Sequence, residues 1–239
     1  MPNGAFGQTA ADHAKAAAAV DRLWSADNAD RVQAKEEILE LGGAAIEPLL
    51  ALLNSMLDDV HTLHYARTDQ HTKTRPNSAQ AVREADELDF VLRPPGQKEM
   101  TWRLIEDTCN LLGKLKAEEA VPTLLRVSEI RPDHGLLHIT SEMIAIQEIG
   151  RSAVPLVLNR FTEAAREEWL MSVKPDTTPL GKARGRELNK LERRLALTLE
   201  IVGDRAIVPE LERVAEHSQA PDAAALAKTL IEKLRLRYN

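Results

Sequence analysis

Apolar residues recur along this chain every three or four positions, the spacing that places side chains on one face of an α-helix. The clearest stripes are Ile46, Leu49, Leu50, Leu53, Met56, Leu57 and Val60; Trp102, Ile105, Cys109 and Leu112; Leu188, Leu191, Leu195 and Val202; and Ala223, Leu226, Ala227, Leu230, Ile231 and Leu234. They predict about eleven helices: 9–25, 28–42, 44–65, 79–92, 97–114, 117–130, 135–149, 151–171, 184–203, 204–217 and 221–236. Aromatic residues make up only 3% of the chain, fewer than a large β-sheet normally uses, so we predict an all-α fold.

Four segments of the chain share one pattern, in which an apolar residue and Gly are followed by a polar stretch, a small apolar residue, Pro and a Leu-rich run. They begin at Leu41-Gly42, Leu112-Gly113, Ile149-Gly150 and Val202-Gly203, and their prolines are Pro48, Pro122, Pro155 and Pro209. Gly ends a helix readily because it adopts the left-handed conformation. Pro is tolerated in the first turn of the next helix, where its missing N–H costs no bond. The four segments therefore predict helix pairs that meet at tight corners, with Gly113 and Gly203 at positive φ or at helix ends.

The spacing of the corner prolines shows where the repeat is irregular. Pro122 and Pro155 are 33 residues apart, one helix-pair period, whereas the two neighbouring intervals are 74 residues (48 to 122) and 54 residues (155 to 209). We expect insertions at 60–96 and 172–183, both of which contain polar stretches rich in turn formers. The helix at 79–92 either completes an irregular repeat or belongs to a mobile arm over one edge of a groove.

These corners resemble the HEAT-repeat family, in particular the short HEAT-like repeats first described in phycobilisome lyases. The segment from Leu112-Gly113-Lys114-Leu115 to Leu125 carries the closest likeness, although Lys116-Ala117 replaces the usual Gly-Asp. The resemblance covers roughly 28–217, apart from 60–96. It implies a single domain over 1–239, a right-handed α-α superhelix with capping segments at 1–27 and 218–239. In this family the second helices, here 44–65, 117–130, 151–171 and 204–217, line a concave face.

Charge and composition narrow the possible partners and compartments. The net charge of −6 disfavours a general nucleic-acid binder, which needs clustered Lys and Arg. The charge is uneven, since residues 1–150 carry 15 Lys and Arg against 24 Asp and Glu, while residues 151–239 carry 16 against 13. A single cysteine, no basic-then-apolar leader and no apolar run of about 18 residues lead us to expect a cytoplasmic protein without a membrane span.

Histidine spacing gives the only hint of a metal site. His61, His64 and His71 lie near one another, and His134 and His138 have the i, i+4 spacing of two ligands on one helical face. His134 follows Pro132-Asp133 and precedes Gly135, so the helix is expected to begin after it, and we predict no bound metal and no cofactor. Deoxyhypusine hydroxylases, which share the HEAT-like fold, mark a di-iron site with His-Glu dipeptides, and none occurs in this sequence.

A basic cluster at the start of the predicted helix 184–203 is the sharpest local feature. It comprises Lys182, Arg184, Arg186, Lys190, Arg193 and Arg194. Arg186, Lys190 and Arg194 recur at i, i+4 and i+8 and so share one face of the helix. Arg186, Lys190, Arg193 and Arg194 form a candidate docking site for phosphate or an acidic partner. The alternative is a solvated helix face, because Glu187 and Glu192 interrupt the cluster.

The sequence carries no catalytic motif, and the favoured function is a non-enzymatic protein-protein interaction or scaffold module that binds a protein or peptide on its concave face. One alternative is a lyase-like or chaperone-like accessory factor for a client protein, which an exposed cluster of aromatic and basic residues in the groove would favour. A charged groove with few aromatics would favour protein binding. A HEAT-like DNA glycosylase is disfavoured because Trp169 ends a helix that carries Glu163, Glu167 and Glu168, a poor setting for phosphate.

Overall fold

A computed structural model describes residues 9–58, 97–130, 139–175, 177 and 179–237. These residues form helices and turns without a β-strand, which confirms the all-α prediction. The chain divides into two compact units, Met1–Leu115 and Lys116–Asn239. The described residues do not include the five histidines considered above as metal ligands. They also do not include the helix predicted at 79–92 or the insertion 60–96.

The first unit contains helices α1 (Ala10–Asp21), α2 (Asn28–Leu41), α3 (46–58) and α4 (Gln97–Lys114). Thr9 and Asp12 form a capping box that starts α1: the Asp12 N–H donates to Thr9 Oγ1 at 3.2 Å, and the Thr9 N–H donates to Asp12 Oδ2 at 2.9 Å. The interior of this unit is apolar, and its fully buried side chains include Ile38, Leu49, Leu53, Leu57, Ile105 and Leu112.

The second unit contains α5 (Val121–Ile130), α6 (Ser141–Ile149), α7 (Val154–Val173), α8 (Pro179–Val202), α9 (Val208–His217) and α10 (Pro221–Arg237). Helix α8 packs against α7 on one side and α10 on another, and α9 packs against α10. Helix α8 therefore has little free surface in its second half. The largest fully buried side chains of this unit are Phe161, Leu124, Met143, Ile146, Leu195 and Leu199.

A short 3-10 turn separates two helices at each of the four places where the sequence predicts a corner. The turns are Gly42–Ala45, Glu118–Ala120, Gly150–Ala153 and Arg205–Ile207. The corner prolines fall within the first turn of α3, α5, α7 and α9. Small side chains fill three of the corners, where Ala44, Ala45, Ala120 and Ala153 are fully buried.

The corner glycines differ in what they do. Gly42 has φ of 59° and Gly150 has φ of 86°, so these two hold the left-handed conformation that ends α2 and α6. Gly113 lies within the last turn of α4, one residue before its end, and Lys116 with φ of 52° takes the left-handed position instead. Neither Gly113 nor Gly203 has positive φ, but both lie at helix ends, so the prediction for these two glycines holds through its second alternative.

Replacement of Gly150 by Ala should destabilise the protein by about 1 kcal/mol. Nothing lies within 4 Å of a Cβ added at this position, so the cost comes from the left-handed backbone alone. Urea denaturation followed by far-UV circular dichroism measures the change. An Ala variant as stable as the wild type would show that the corner tolerates a change of backbone conformation.

The insertion predicted at 172–183 is shorter in the structure, because most of this polar stretch belongs to two helices. Helix α7 continues to Val173 and α8 begins at Pro179, five residues before the predicted start at 184. Pro179 opens the helix because the first turn tolerates a residue without an N–H donor. The stretch therefore extends α7 by two residues and α8 by five residues beyond their predicted bounds.

The stretch Asn28–Asp58 has the length and apolar composition of a candidate membrane span, with a mean hydropathy of 1.3 over its best window. The chain turns within it, because Gly42 takes φ of 59° and Gly42–Ala45 form a 3-10 turn. Helices α2 and α3 are thus separate elements that meet at a corner.

Candidate functional site

A cavity of about 400 Å³ lies between α7 and α9, the second helices of two predicted pairs. Thr162, Ala165, Arg166 and Trp169 of α7 line one side, and Glu210, Arg213, Val214 and His217 of α9 line the other, with Ser218 and Gln219 beyond the end of α9. Ala165 and Val214 are buried and form an apolar floor, whereas the arginines and His217 are exposed at the rim. The cavity combines an apolar base with positively charged edges, as ligand pockets commonly do.

Arg166 and Trp169 are neighbours on α7, because residues three apart lie on the same face of a helix. Arg166 is exposed, and no described residue pairs with its guanidinium or accepts a hydrogen bond from it. Trp169 is half-buried, and the described part of the chain offers no acceptor to its indole N–H. A buried or half-buried Trp usually finds such an acceptor. Both donors are therefore free to bind a ligand.

The glutamates near Trp169 point to other partners. Arg160 approaches Glu129 of α5 through Nε at 2.5 Å, Glu167 through Nη1 at 3.3 Å and Glu163 through Nη1 at 3.8 Å. Burial alone lowers the pKa of the Arg160 guanidinium, but the hydrogen bond and charge of Glu129, followed by the charges of Glu167 and Glu163, raise it overall. Two of the carboxylates that made this helix look unsuitable for an anion, those of Glu163 and Glu167, are therefore already paired with Arg160.

Glu168 caps the N-terminus of α10 and so is also turned away from the cavity. Its Oε1 accepts from the Asp222 N–H at 3.4 Å and its Oε2 from the Ala223 N–H at 3.2 Å. The positive end of the helix dipole favours a carboxylate at this place. On the opposite wall, Arg213 Nη1 lies 2.7 Å from Glu210 Oε2, an exposed pair that a ligand can replace at little cost.

Glu192 of α8 is the most unusual titratable group among the described residues. Its side chain has no solvent-exposed surface, and no described residue donates a hydrogen bond to either carboxylate oxygen. Burial, then the charges of Glu168 and Asp222, then a hydrogen bond to Glu168 and the charge of Glu167, raise the pKa of Glu192 from 4.5 to about 8. A neutral acid is less costly to bury than a carboxylate, which agrees with the absence of a donor to these oxygens among the described residues.

The predicted docking residues of α8 lie in different environments. Arg186 is exposed, Lys190 lies 2.9 Å from Glu187 Oε1, and Arg194 is half-buried and donates to the backbone carbonyl of Ser128. Arg193 lines a second cavity of about 370 Å³ between α8 and α10, where Glu200, Asp222 and Lys233 also lie. Of the four residues, Arg186 and Arg193 are the ones with exposed side chains. The docking site on α8 stays a prediction.

No group of three or more His, Cys, Asp or Glu side chains suited to a metal ion occurs within 9–58, 97–130, 139–175 and 179–237. His13 and His217 are the histidines in these ranges, and they belong to different units. Cys109 is buried within α4 and is not part of a disulfide.

Comparison with protein-family models, with curated proteins and with solved structures gave no match to this chain. The function must therefore be argued from the chain's own geometry.

Proposed function

We propose that this chain is a right-handed HEAT-like α-solenoid that works as a non-enzymatic protein-interaction module in the cytoplasm. The partner would be a protein or peptide held against the second helices of the pairs. The observation that carries this proposal is the cavity between α7 and α9, which are the second helices of two predicted pairs. Solenoids use the grooves between successive second helices as extended contact surfaces.

The exposed apolar side chains of α7 support a macromolecular partner. Leu170 is 50% exposed and Val173 is 56% exposed, and both follow Trp169 within one turn. The apolar surface thus continues from the cavity along the C-terminal half of α7. Apolar patches bordered by charged residues are typical of protein interaction sites.

The composition of the cavity favours protein binding over an accessory factor that handles an aromatic cofactor on a client. The cavity contains one aromatic side chain, Trp169, among charged and small residues. Stacking of a large conjugated ligand would require more aromatic surface than a single half-buried indole offers.

Photo-cross-linking tests the proposed binding face. A benzoylphenylalanine in place of Leu170 should cross-link one defined protein in cells that express the chain natively, and mass spectrometry identifies it. The same probe in place of Ile144 of α6, a first helix in the same unit with 38% exposure, should cross-link far less. Equal cross-linking at both positions, or none at Leu170, would refute the assignment of the binding face.

A further inference from the structure

We infer that the cavity between α7 and α9 binds an acidic peptide segment, with a Glu or Asp side chain on Arg166 and a neighbouring apolar side chain against Trp169. This inference rests on the proposed function and adds the chemistry of the partner. It concerns residues on two helices of the second unit, Val154–Val173 and Val208–His217, which are described throughout.

The charge of the cavity selects an anion. Arg166 and Arg213 contribute two positive charges, and Glu210 contributes one negative charge that Arg213 already engages. Of the other nearby carboxylates, those of Glu163 and Glu167 pair with Arg160, and that of Glu168 caps α10. A carboxylate entering the cavity would meet the unpaired guanidinium of Arg166, whose planar donors match carboxylate geometry. A basic peptide would meet one carboxylate among these lining residues, that of Glu210, and Arg213 already pairs with it.

Trp169 and the apolar floor of the cavity would contact the apolar side chain of the peptide. Trp169 lines the cavity together with the buried side chains of Ala165 and Val214, and Leu170 and Val173 are exposed apolar residues outside it. The Cβ atoms of Arg166 and Trp169 are about 5–6 Å apart, as expected for residues three apart on a helix. An extended peptide spans this distance with alternate side chains, and a helical peptide spans it with residues three or four apart. We therefore expect an acidic and an apolar residue separated by one to three positions.

Selection of random twelve-residue peptides displayed on phage tests the inference with the full chain as bait. The selected peptides should share a Glu or Asp near a Leu, Phe or Trp. A synthetic peptide of the consensus sequence, labelled with fluorescein, should bind in anisotropy measurements, and its binding should weaken as the salt concentration rises. Arg166→Glu should weaken binding at least about tenfold, and Trp169→Ala should weaken it by a similar factor.

Arg205→Glu provides the matched control, because Arg205 is an exposed arginine of the same unit that does not line the cavity. Its charge reversal should change the affinity less than about twofold. Loss of binding with Arg186→Glu but not with Arg166→Glu would overturn the inference and place recognition on the basic face of α8. If the peptides bind all variants with equal affinity, the chain still binds peptides, but the cavity between α7 and α9 is not the binding site. No enriched peptide at all would contradict the inference and the proposed peptide-binding function together. Circular dichroism spectra of the variants confirm that each retains its helical fold.

Discussion

Replacement of Glu192 by Gln should leave stability at pH 5 nearly unchanged and should raise the free energy of unfolding at pH 9 by about 2 kcal/mol. Glu192 is fully buried among Glu168, Glu167 and Asp222, and its pKa is raised from 4.5 to about 8. Each pKa unit corresponds to about 1.4 kcal/mol of unfolding free energy that is lost when Glu192 ionises. We expect side-chain movement and water penetration to reduce this loss at high pH. Gln has the shape of the protonated acid and can donate its amide hydrogen to Glu168.

The direction of the pH dependence follows from proton binding. Between pH 4.5 and about 8 the folded chain holds a proton on Glu192 that the unfolded chain has released. The contribution of the neutral acid is therefore complete below pH 4.5, falls as the pH rises, and is lost once the pH passes about 8. The wild type should lose stability across this interval, and the Gln variant should show a flatter profile.

Urea denaturation at pH 5, 7 and 9 measures both profiles. Glu187→Gln is the control, because Glu187 is an exposed carboxylate on the same helix and pairs with Lys190 at the surface. It should shift stability by less than about 0.5 kcal/mol at every pH. A Glu192→Gln variant with the same pH slope as the wild type would show that Glu192 is ionised and solvated in the folded protein.

The helix corners could be predicted from the sequence because their causes are local. A Gly that ends one helix and a Pro in the first turn of the next act through the conformation of a few residues. Gly42 and Gly150 adopt positive φ for this reason. The same reasoning fails at Gly113, where α4 continues to Lys114 and the turn is made by Lys116. A helix that ends at Gly113 and one that continues to Lys114 with a turn at Lys116 differ by about one turn of helix. Local propensity does not distinguish helix ends this close together.

The candidate site depends on contacts between distant parts of the chain. The pairing of Arg160 with Glu129 joins α7 to α5, and the pairing of Glu168 with Ala223 joins α7 to α10. Without these contacts, the glutamates of α7 suggest an acidic surface around Trp169. One signal was present in the sequence: Arg166 and Trp169 share a face of one predicted second helix, while Arg213 and His217 share a face of another.

The burial of Glu192 also results from long-range packing. Its position beside Leu191 and Arg193 marks the edge of the apolar stripe of α8, where a charged residue normally reaches water. Helix α8 is covered by both α7 and α10, so this edge becomes interior. The sequence alone predicted that Glu192 is an exposed carboxylate that interrupts a basic face. In the structure its side chain is buried instead.

Replacement of Gly203 by Ala should destabilise the protein by about 2–3 kcal/mol, although its φ is not in the left-handed range. A Cβ at this position would overlap the backbone carbonyl oxygen of Leu199 and would lie 2.7 Å from Cδ1 of Ile207. The carbonyl belongs to the last turn of α8 and already accepts the Gly203 N–H at 2.8 Å, so it has little freedom to move. Relief of the overlap requires the corner to open and α9 to shift.

Gly185→Ala is the matched control, because it makes the same chemical change within α8. The nearest heavy atom to the added Cβ is Met171 Cε at 3.7 Å, an ordinary contact with a flexible side chain. Removal of a glycine from the interior of a helix should stabilise the protein by about 0.5–1 kcal/mol. Urea denaturation of the two variants should therefore give changes of opposite sign. A change of the same sign in both would mean that conformational freedom, rather than the close approach of Leu199 and Ile207, decides the effect at Gly203.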